Sequence, residues 1–468
     1  MKYISTRGSA PELGFQEAVL AGLARDGGLY VPQSWPQIGT DEIRSMAGQP
    51  YNQIAKTILR PFIGDEIGRD DLEQMINDAY ATFHHQATVP LVQLGPNHFV
   101  AELFHGPTLA FKDVAMQLLA RLMDHVLSQK SQRATIVAAT SGDTGGAAIE
   151  AFRGRDNVDI FILFPHGKVS PVQQKQMTTV DAKNVHAIAV DGNFDDCQSL
   201  VKALFNHHAF RDELKIAGVN SINWARIMAQ IVYYFSTATS LGSPDKEVSF
   251  TVPTANFGDI FAGYSAKKMG LPIKQLIVAT NQNDILARTL ESGRYEVHDV
   301  HPSTSPSMDI QVSSNFERLL FEAEARNSNA VRQMMSGLAQ SGSFSLSEQA
   351  IAYISQSFDG GRSDEEMTAR TIRQTLSDCN YLLDPHTACG VGIANEKIEQ
   401  AGPENGAMIT LSTAHPAKFP EAVNNACGIR PNLPDWTGDF MQREEQYSRL
   451  ENDQEKLEQF IREHSRAV

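Results

Sequence analysis

TIVAATSGDTGGAAIEAFRG, Thr135–Gly154, is the stretch that decides the architecture. Its first part, TIVAAT (Thr135–Thr140), is a short apolar run rich in β-branched residues, with no polar alternation, as expected of a strand covered on both faces. SGDTGG (Ser141–Gly146) then supplies turn and cap residues, and AAIEAFRG reads as a helix. Working outward, VDIFILF (Val158–Phe164), VHAIAVDG (Val185–Gly192), VSFTVPT (Val248–Thr254) and LIVAT (Leu276–Thr280) repeat the strand pattern. Helix-like segments such as FDDCQSLVKALF, IFAGYSAKKMG and the long amphipathic INWARIMAQIVYYFSTATSLG separate them. This alternation predicts an α/β fold with doubly wound, mostly parallel sheets. Ligands of such sheets bind beyond the carboxyl ends of the strands. The loops of interest are therefore SGDTGG, PHGKVSP, ANFGD and TNQND.

The segments before Thr135 and after Thr280 set the domain expectation. Residues 1–92 read as a mainly helical region with breaks such as VPQSWPQ. Residues 93–130 and 248–430 are assigned to a large α/β domain, 131–247 to a smaller one, and 431–468 to a charged C-terminal helical tail. That tail, MQREEQYSRLENDQEKLEQFIREHS, reads as a solvated helix or a partner-facing tail, the solvated helix being the reading preferred. No internal repeat or low-complexity tract interrupts the chain.

With 468 residues, 42% hydrophobic and 20% charged, the chain can bury a large core. A formal net charge of −15 argues against nucleic-acid partners and anionic membranes, but leaves room for a local positive pocket. Cys197, Cys379, Cys389 and Cys427 form no CxxC pair, and no HExxH spacing appears, so no metal site is expected. No run approaches the roughly 20 apolar residues of a membrane span. Few cysteines and no apolar leader suggest a cytoplasmic protein.

Four stretches carry possible chemistry. In LFHGPTLAFKD (Leu103–Asp113), Lys112 follows an apolar run that would bury its stem. Desolvation disfavours an ammonium and yields a nucleophilic amine, although a lysine at a helix start more often only snorkels. TANFGDI (Thr254–Ile260), between strand and helix, has the small residues that let N–H groups converge on a phosphate, or is a plain turn. SGDTGG can wrap an anion or cap a helix, or both. In LSTAHPAKF (Leu411–Phe419), Ser412 and Thr413 fall at the end of a strand, where a hydroxyl can meet a ligand ring or cap a turn. His207–His208 reads as an ordinary surface pair.

Together, YISTRG, DGGLYVP, LFHGPTLAFKD, ATSGDTGGAAI, NSINWARI, PTANFGDI, SPSMDIQVSSNFERLLF, LDPHTA and LSTAHPAKF, in this order from Tyr3 onward, resemble the threonine synthase family, in its longer bacterial and fungal type. The resemblance implies a pyridoxal 5'-phosphate enzyme of the tryptophan-synthase β-like fold (fold type II). It makes Lys112 the lysine that holds the cofactor as a Schiff base, with Phe111 beside it. Ala255, Asn256, Phe257, Gly258 and Asp259 become the phosphate loop, Thr413 the partner of the pyridine nitrogen, and Asp143 a residue of the loop facing the ring hydroxyl. Ser141 and Thr144 are expected near the substrate carboxylate, and Lys168 and Arg226 near the departing phosphate.

The implied reaction converts O-phospho-L-homoserine and water to L-threonine and phosphate, in a monomer or homodimer. One departure stands out: the family usually shows GNFGD, and position 255 here is alanine. If that backbone needs φ > 0, alanine costs about 1 kcal/mol or more; if not, it adds only a methyl. Two other readings share the fold: a lyase that eliminates phosphate and releases 2-oxobutyrate, and a binding protein without catalysis.

Overall fold

The computed structural model describes residues 1–402 and 406–467. Two sheets organise it. The larger has six strands in the order Phe358–Arg362, Ile273–Thr280, Val248–Pro253, Ala407–Ser412, His98–Glu102 and Leu91–Gly95. All neighbours run parallel except the last pair. The smaller has five parallel strands in the order Ser448–Glu451, Val185–Asp191, Val158–Pro165, Ala134–Ala139 and Ile216–Ala217. Val158–Pro165 and Val248–Pro253 are buried at every position, which accounts for their lack of alternation.

The N-terminal region carries helices Phe15–Ala21, Thr40–Ser45, Tyr51–Ile63 and Arg69–Tyr80 and a short antiparallel pair, Tyr3–Ser5 and Tyr30–Pro32. It is anchored by Trp224, whose ring lies against those of Tyr3, Trp35 and Phe62. Trp224 opens the helix Trp224–Ser240, read from sequence as amphipathic and placed in the 131–247 unit. The helix is instead buried almost all round, and it packs on helices Tyr51–Ile63, Lys112–Gln129 and Gly258–Lys268, beside the larger sheet.

The C-terminal segment differs more. Residues 448–451 form the edge strand of the smaller sheet, and helix Gln454–His464 buries Leu457 and Ile461 against Phe161, Cys197, Leu200 and Leu204. His207 joins it, its Nδ1 lying 2.7 Å from Glu458 Oε1. The segment is thus a structural part of the smaller lobe rather than a solvated helical tail. Its charges occupy the outer face, while an i, i+4 apolar pair faces in.

Candidate active site

Lys112 is the first residue of helix Lys112–Gln129. The turn before it is held by Asp113, which accepts hydrogen bonds from the Thr108 N–H and hydroxyl, each at 2.8 Å. Gly106 is required there, since a Cβ would sit 2.5 Å from that of Asp113. Leu103 N–H donates to Ser412 O (3.0 Å), Phe111 N–H to Thr413 O (2.8 Å) and His415 N–H to Leu109 O (3.0 Å). Main-chain pairing thus brings Lys112 and Thr413 to the same end of the larger sheet.

Lys112 Nζ lies 3.8 Å from Asp143 Oδ2 and 4.7 Å from the Phe111 ring centre. Burial pulls its amine below the usual lysine range. Asp143 and Asp259 oppose that shift, whereas Arg226 and Lys418 reinforce it.

Asp143 begins helix Asp143–Phe152, whose start is tied down by Thr140. The Thr140 hydroxyl accepts from the N–H groups of Gly142 and Gly145, both at 2.9 Å. Asp143 Oδ1 accepts from Gln173 Nε2 at 2.8 Å and pairs with Lys418 Nζ at 2.9 Å. Burial alone would raise this carboxyl. Lys418, Lys112, the Gln173 amide and His386 outweigh it and hold Asp143 below the usual carboxylate range. The hydroxyls of Ser141 and Thr144, both half-buried, have no hydrogen-bond partner among the described residues.

The Thr254–Phe257 loop leads into helix Gly258–Lys268. Its carbonyls are turned away and held. Ser313 Oγ donates to Ala255 O at 2.6 Å, and the N–H and Nδ2 of Asn315 donate to Asn256 O at 3.0 and 2.9 Å. The N–H groups of Ala255, Asn256 and Phe257 have no partner among the described residues. Together with the helix start they form an anion-binding concavity. The left-handed residue of this loop is Phe257, at φ +63°, and Ala255 is not in that region. Position 255 therefore carries only an extra methyl, without the strain. The strain at Phe257 is offset by packing of its ring on Phe316 and Phe358, at 5.2 and 5.6 Å.

Burial pushes Asp259 up to about 6, against the Ile260 N–H, Lys112 and Arg226. Arg226 is buried and pushed down to about 10 by desolvation, with Asp259 opposing. It gives one hydrogen bond, to Val219 O at 3.3 Å, and its Nε is buried without a partner among the described residues. A buried, unpartnered guanidinium N–H is a donor suited to an anionic ligand.

Thr413 follows strand Ala407–Ser412; its N–H donates to Thr387 Oγ1 at 3.2 Å, while its hydroxyl has no partner among the described residues. Thr387 also meets the Ser412 hydroxyl at 3.0 Å. Asp384 caps helix Pro385–Ala401 and holds His386. Ser307 N–H donates to His386 Nε2 at 3.2 Å, so the imidazole proton sits on Nδ1, toward Asp384.

The residues singled out in the sequence thus mostly converge. Lys168 is the exception: it is exposed and forms no ion pair among the described residues, although its loop touches the site through Ser170 Oγ, 3.3 Å from Lys418 O. The TNQND loop serves structure, Asn281 and Asn283 bonding Asp309 at 2.8 and 3.0 Å. Sequence reading missed Lys418, Gln173, Thr140 and Thr387. Lys418 and Thr387 lie inside LSTAHPAKF and LDPHTA, the only signal that could have found them. Among the described residues no cluster of His, Cys, Asp or Glu could hold a metal ion, and no helix is long and apolar enough to cross a membrane.

The central span, residues 87–413, matches the family model described as pyridoxal-phosphate dependent enzyme. The sheets and the lysine-centred site fit that class. Residues 2–80 match the threonine synthase N terminus, and residues 387–461 match "Threonine synthase, C-terminal". The chain is 52% identical to the threonine synthase of Pseudomonas aeruginosa over 99% of its own length and 98% of the relative's. It superposes on the PLP-bound threonine synthase of Brucella melitensis with a TM-score of 0.97 at 62% identity, covering all of both chains. On the yeast threonine synthase the TM-score is 0.94 at 41% identity, covering 99% of this chain and 98% of that one. The chain belongs to the threonine synthase family, pyridoxal-phosphate-dependent lyases of threonine biosynthesis.

Proposed function

We propose that the substrate is O-phospho-L-homoserine, converted with water to L-threonine and phosphate, and that Lys112 is the residue through which the cofactor is held. The observation that carries this is the Lys112 amine: desolvated, facing Asp143, and set beside unpartnered donors suited to anions. The residues fit pyridoxal phosphate. The free N–H groups of Ala255, Asn256 and Phe257, with the start of helix Gly258–Lys268, would hold its phosphate, and the free Thr413 hydroxyl its ring nitrogen. When bound, the cofactor supplies a sink for the electron pair left at the substrate α-carbon.

This chain's residues do the remainder. Ser141 and Thr144 present free hydroxyls for the substrate carboxylate. The Arg226 Nε offers a charge-assisted donor to phosphate, and Lys168 can reach the site only by movement of its exposed side chain. Lys112 Nζ is placed to take the α-proton and to return one later. A neutral hydroxyl at Thr413 would not hold the ring nitrogen of the bound cofactor protonated as a carboxylate would, and so would moderate the sink. The few, free cysteines agree with a cytoplasmic location, which we include in this reading.

The test is to supply O-phosphohomoserine to the purified protein and to Lys112→Ala, following phosphate and amino-acid products. Equal threonine and phosphate, lost by at least about 1,000-fold in K112A, is the expected result. Phosphate with 2-oxobutyrate, or turnover in K112A, would sink it.

A further inference from the structure

Lys418 has a side chain with no exposed surface, and it stands where three segments meet. Its Nζ pairs with Asp143 Oδ1 at 2.9 Å, donates to the Thr108 carbonyl at 2.7 Å and to Gln176 Oε1 at 3.0 Å. Thr108 is the residue whose N–H and hydroxyl are held by Asp113, directly after Lys112. Gln176, on helix Pro171–Thr178, returns a bond from Nε2 to the same Thr108 carbonyl at 2.9 Å. One ammonium thus joins the turn before Lys112, the loop bearing Asp143 and a helix of the smaller lobe.

The division of labour on Asp143 is asymmetric. Oδ1 takes both Lys418 and the Gln173 amide, while Oδ2 is the oxygen that faces Lys112, at 3.8 Å. A carboxylate aimed at a lysine favours the ammonium form, which is the wrong form for a nucleophile or base. A second cation already bound to that carboxylate weakens the pull. We propose that Lys418 is a positioning residue for Lys112: it occupies the charge of Asp143 and fixes which of its oxygens faces the amine.

The charged groups around the Lys112 amine are Asp143, Lys418, Arg226 on helix Trp224–Ser240 and Asp259 on helix Gly258–Lys268. Asp113, on its own helix, is engaged with Thr108. Of these, Lys418 is the one that both touches Asp143 and opposes protonation of Lys112. A purely structural bridge between lobes would affect stability and leave the amine's titration where it is. The inference rests on the assignment of Lys112 as the cofactor lysine.

The test follows capture of pyridoxal phosphate by the full-length protein after cofactor removal. Imine absorbance is recorded by stopped flow from pH 6 to 10, with K112A as the blank. In Lys418→Met the pH midpoint of the capture rate rises by about one pH unit, because Asp143 then acts on Lys112 alone. Adding Asp143→Asn to Lys418→Met brings the midpoint back to the parent value or below. An unchanged midpoint in K418M, or a rise that D143N does not reverse, overturns the proposal. Absence of capture by the parent overturns the reading of Lys112 and this inference with it. Should K418M not fold, Lys418→Gln goes through the same capture assay: a midpoint raised by about one pH unit supports the proposal, and an unchanged midpoint overturns it.

Discussion

Thr140→Val tests whether one hydroxyl holds the Ser141–Gly146 loop in shape. The Thr140 side chain accepts from two buried N–H groups, those of Gly142 and Gly145, at 2.9 Å each. Helix Asp143–Phe152 has no other side-chain cap. Valine keeps the shape and removes the acceptor, so both donors lose their partner where water cannot replace it. Each orphaned donor costs about 1–3 kcal/mol, so the loop loses roughly 3 kcal/mol or more of local stability. Every 1.4 kcal/mol is about tenfold in an equilibrium, so local opening becomes about 100-fold more frequent. Hydrogen exchange read by mass spectrometry at peptides covering 141–146 should accelerate by that factor, with the core strand Val158–Pro165 unchanged.

Thr140→Ser is the control, since serine keeps the acceptor. It loses the methyl that packs where Gly145 leaves no room, 2.4 Å from a hypothetical Cβ. An exchange increase below about threefold in T140V, or an equal increase in T140S, would refute the reasoning. In turnover assays T140V should raise KM more than it lowers kcat, because Ser141 and Thr144 ride on the same loop.

Ala255→Gly should weaken cofactor binding by no more than about fivefold, since Ala255 is outside the left-handed region and glycine adds only flexibility. A tenfold tightening in a cofactor titration would show strain at that position after all. Burial pushes Asp113 up to about 6, so between its ordinary value near 3.8 and about 6 the native state keeps a proton the unfolded chain has released. Its contribution is complete below that ordinary value and is lost as pH rises through about 6. Asp113→Asn should therefore gain on the parent by roughly 2–3 kcal/mol between pH 4 and 8. Parallel curves of melting temperature against pH for the two proteins would contradict this. Leu457→Ala should cost about 2–4 kcal/mol and free the C-terminal segment for proteolysis near residues 440–447, because Leu457 is fully enclosed by the smaller lobe. Unaltered cleavage would return that segment to the solvated reading.

The sheets were legible because strands buried on both faces leave a signature that does not depend on partners, as in VDIFILF and VSFTVP. The edge strand Phe358–Arg362 left none. Its Gly360 and Gly361 are poor strand formers, and Gly361 is there because a Cβ would meet Ile393 at 2.7 Å. The C-terminal helix was misjudged because its mean composition is charged. Only the Leu457–Ile461 spacing marks a buried face, and two positions are easily overlooked. In the phosphate loop the sequence drew attention to Ala255, the departure from pattern, whereas the unusual backbone falls two residues later, at Phe257. Backbone strain depends on how a loop must join its strand to its helix, and a large aromatic at the strained position gives no local warning.

Lys168 and Lys418 make the same point in electrostatic terms. Both follow strand-end turns and both sit in quoted motifs, yet one is exposed and the other has no exposed surface. What separates them is material from elsewhere in the chain: Asp143, Thr108 and Gln176 converge on Lys418 and nothing described converges on Lys168. The same logic reconciles a formal net charge of −15 with a site suited to anions. Arg226 and Lys418 are buried, where the medium screens them poorly, while the acidic excess is spread over the surface, where water and salt screen it well. Two of the buried carboxyls beside them, Asp113 and Asp259, are pushed up to about 6, which lessens their opposition to the cations as pH falls toward that value. An anionic cofactor or substrate therefore meets the unpartnered N–H groups of Ala255, Asn256, Phe257 and Arg226 at close range, and the global charge does not describe what it encounters.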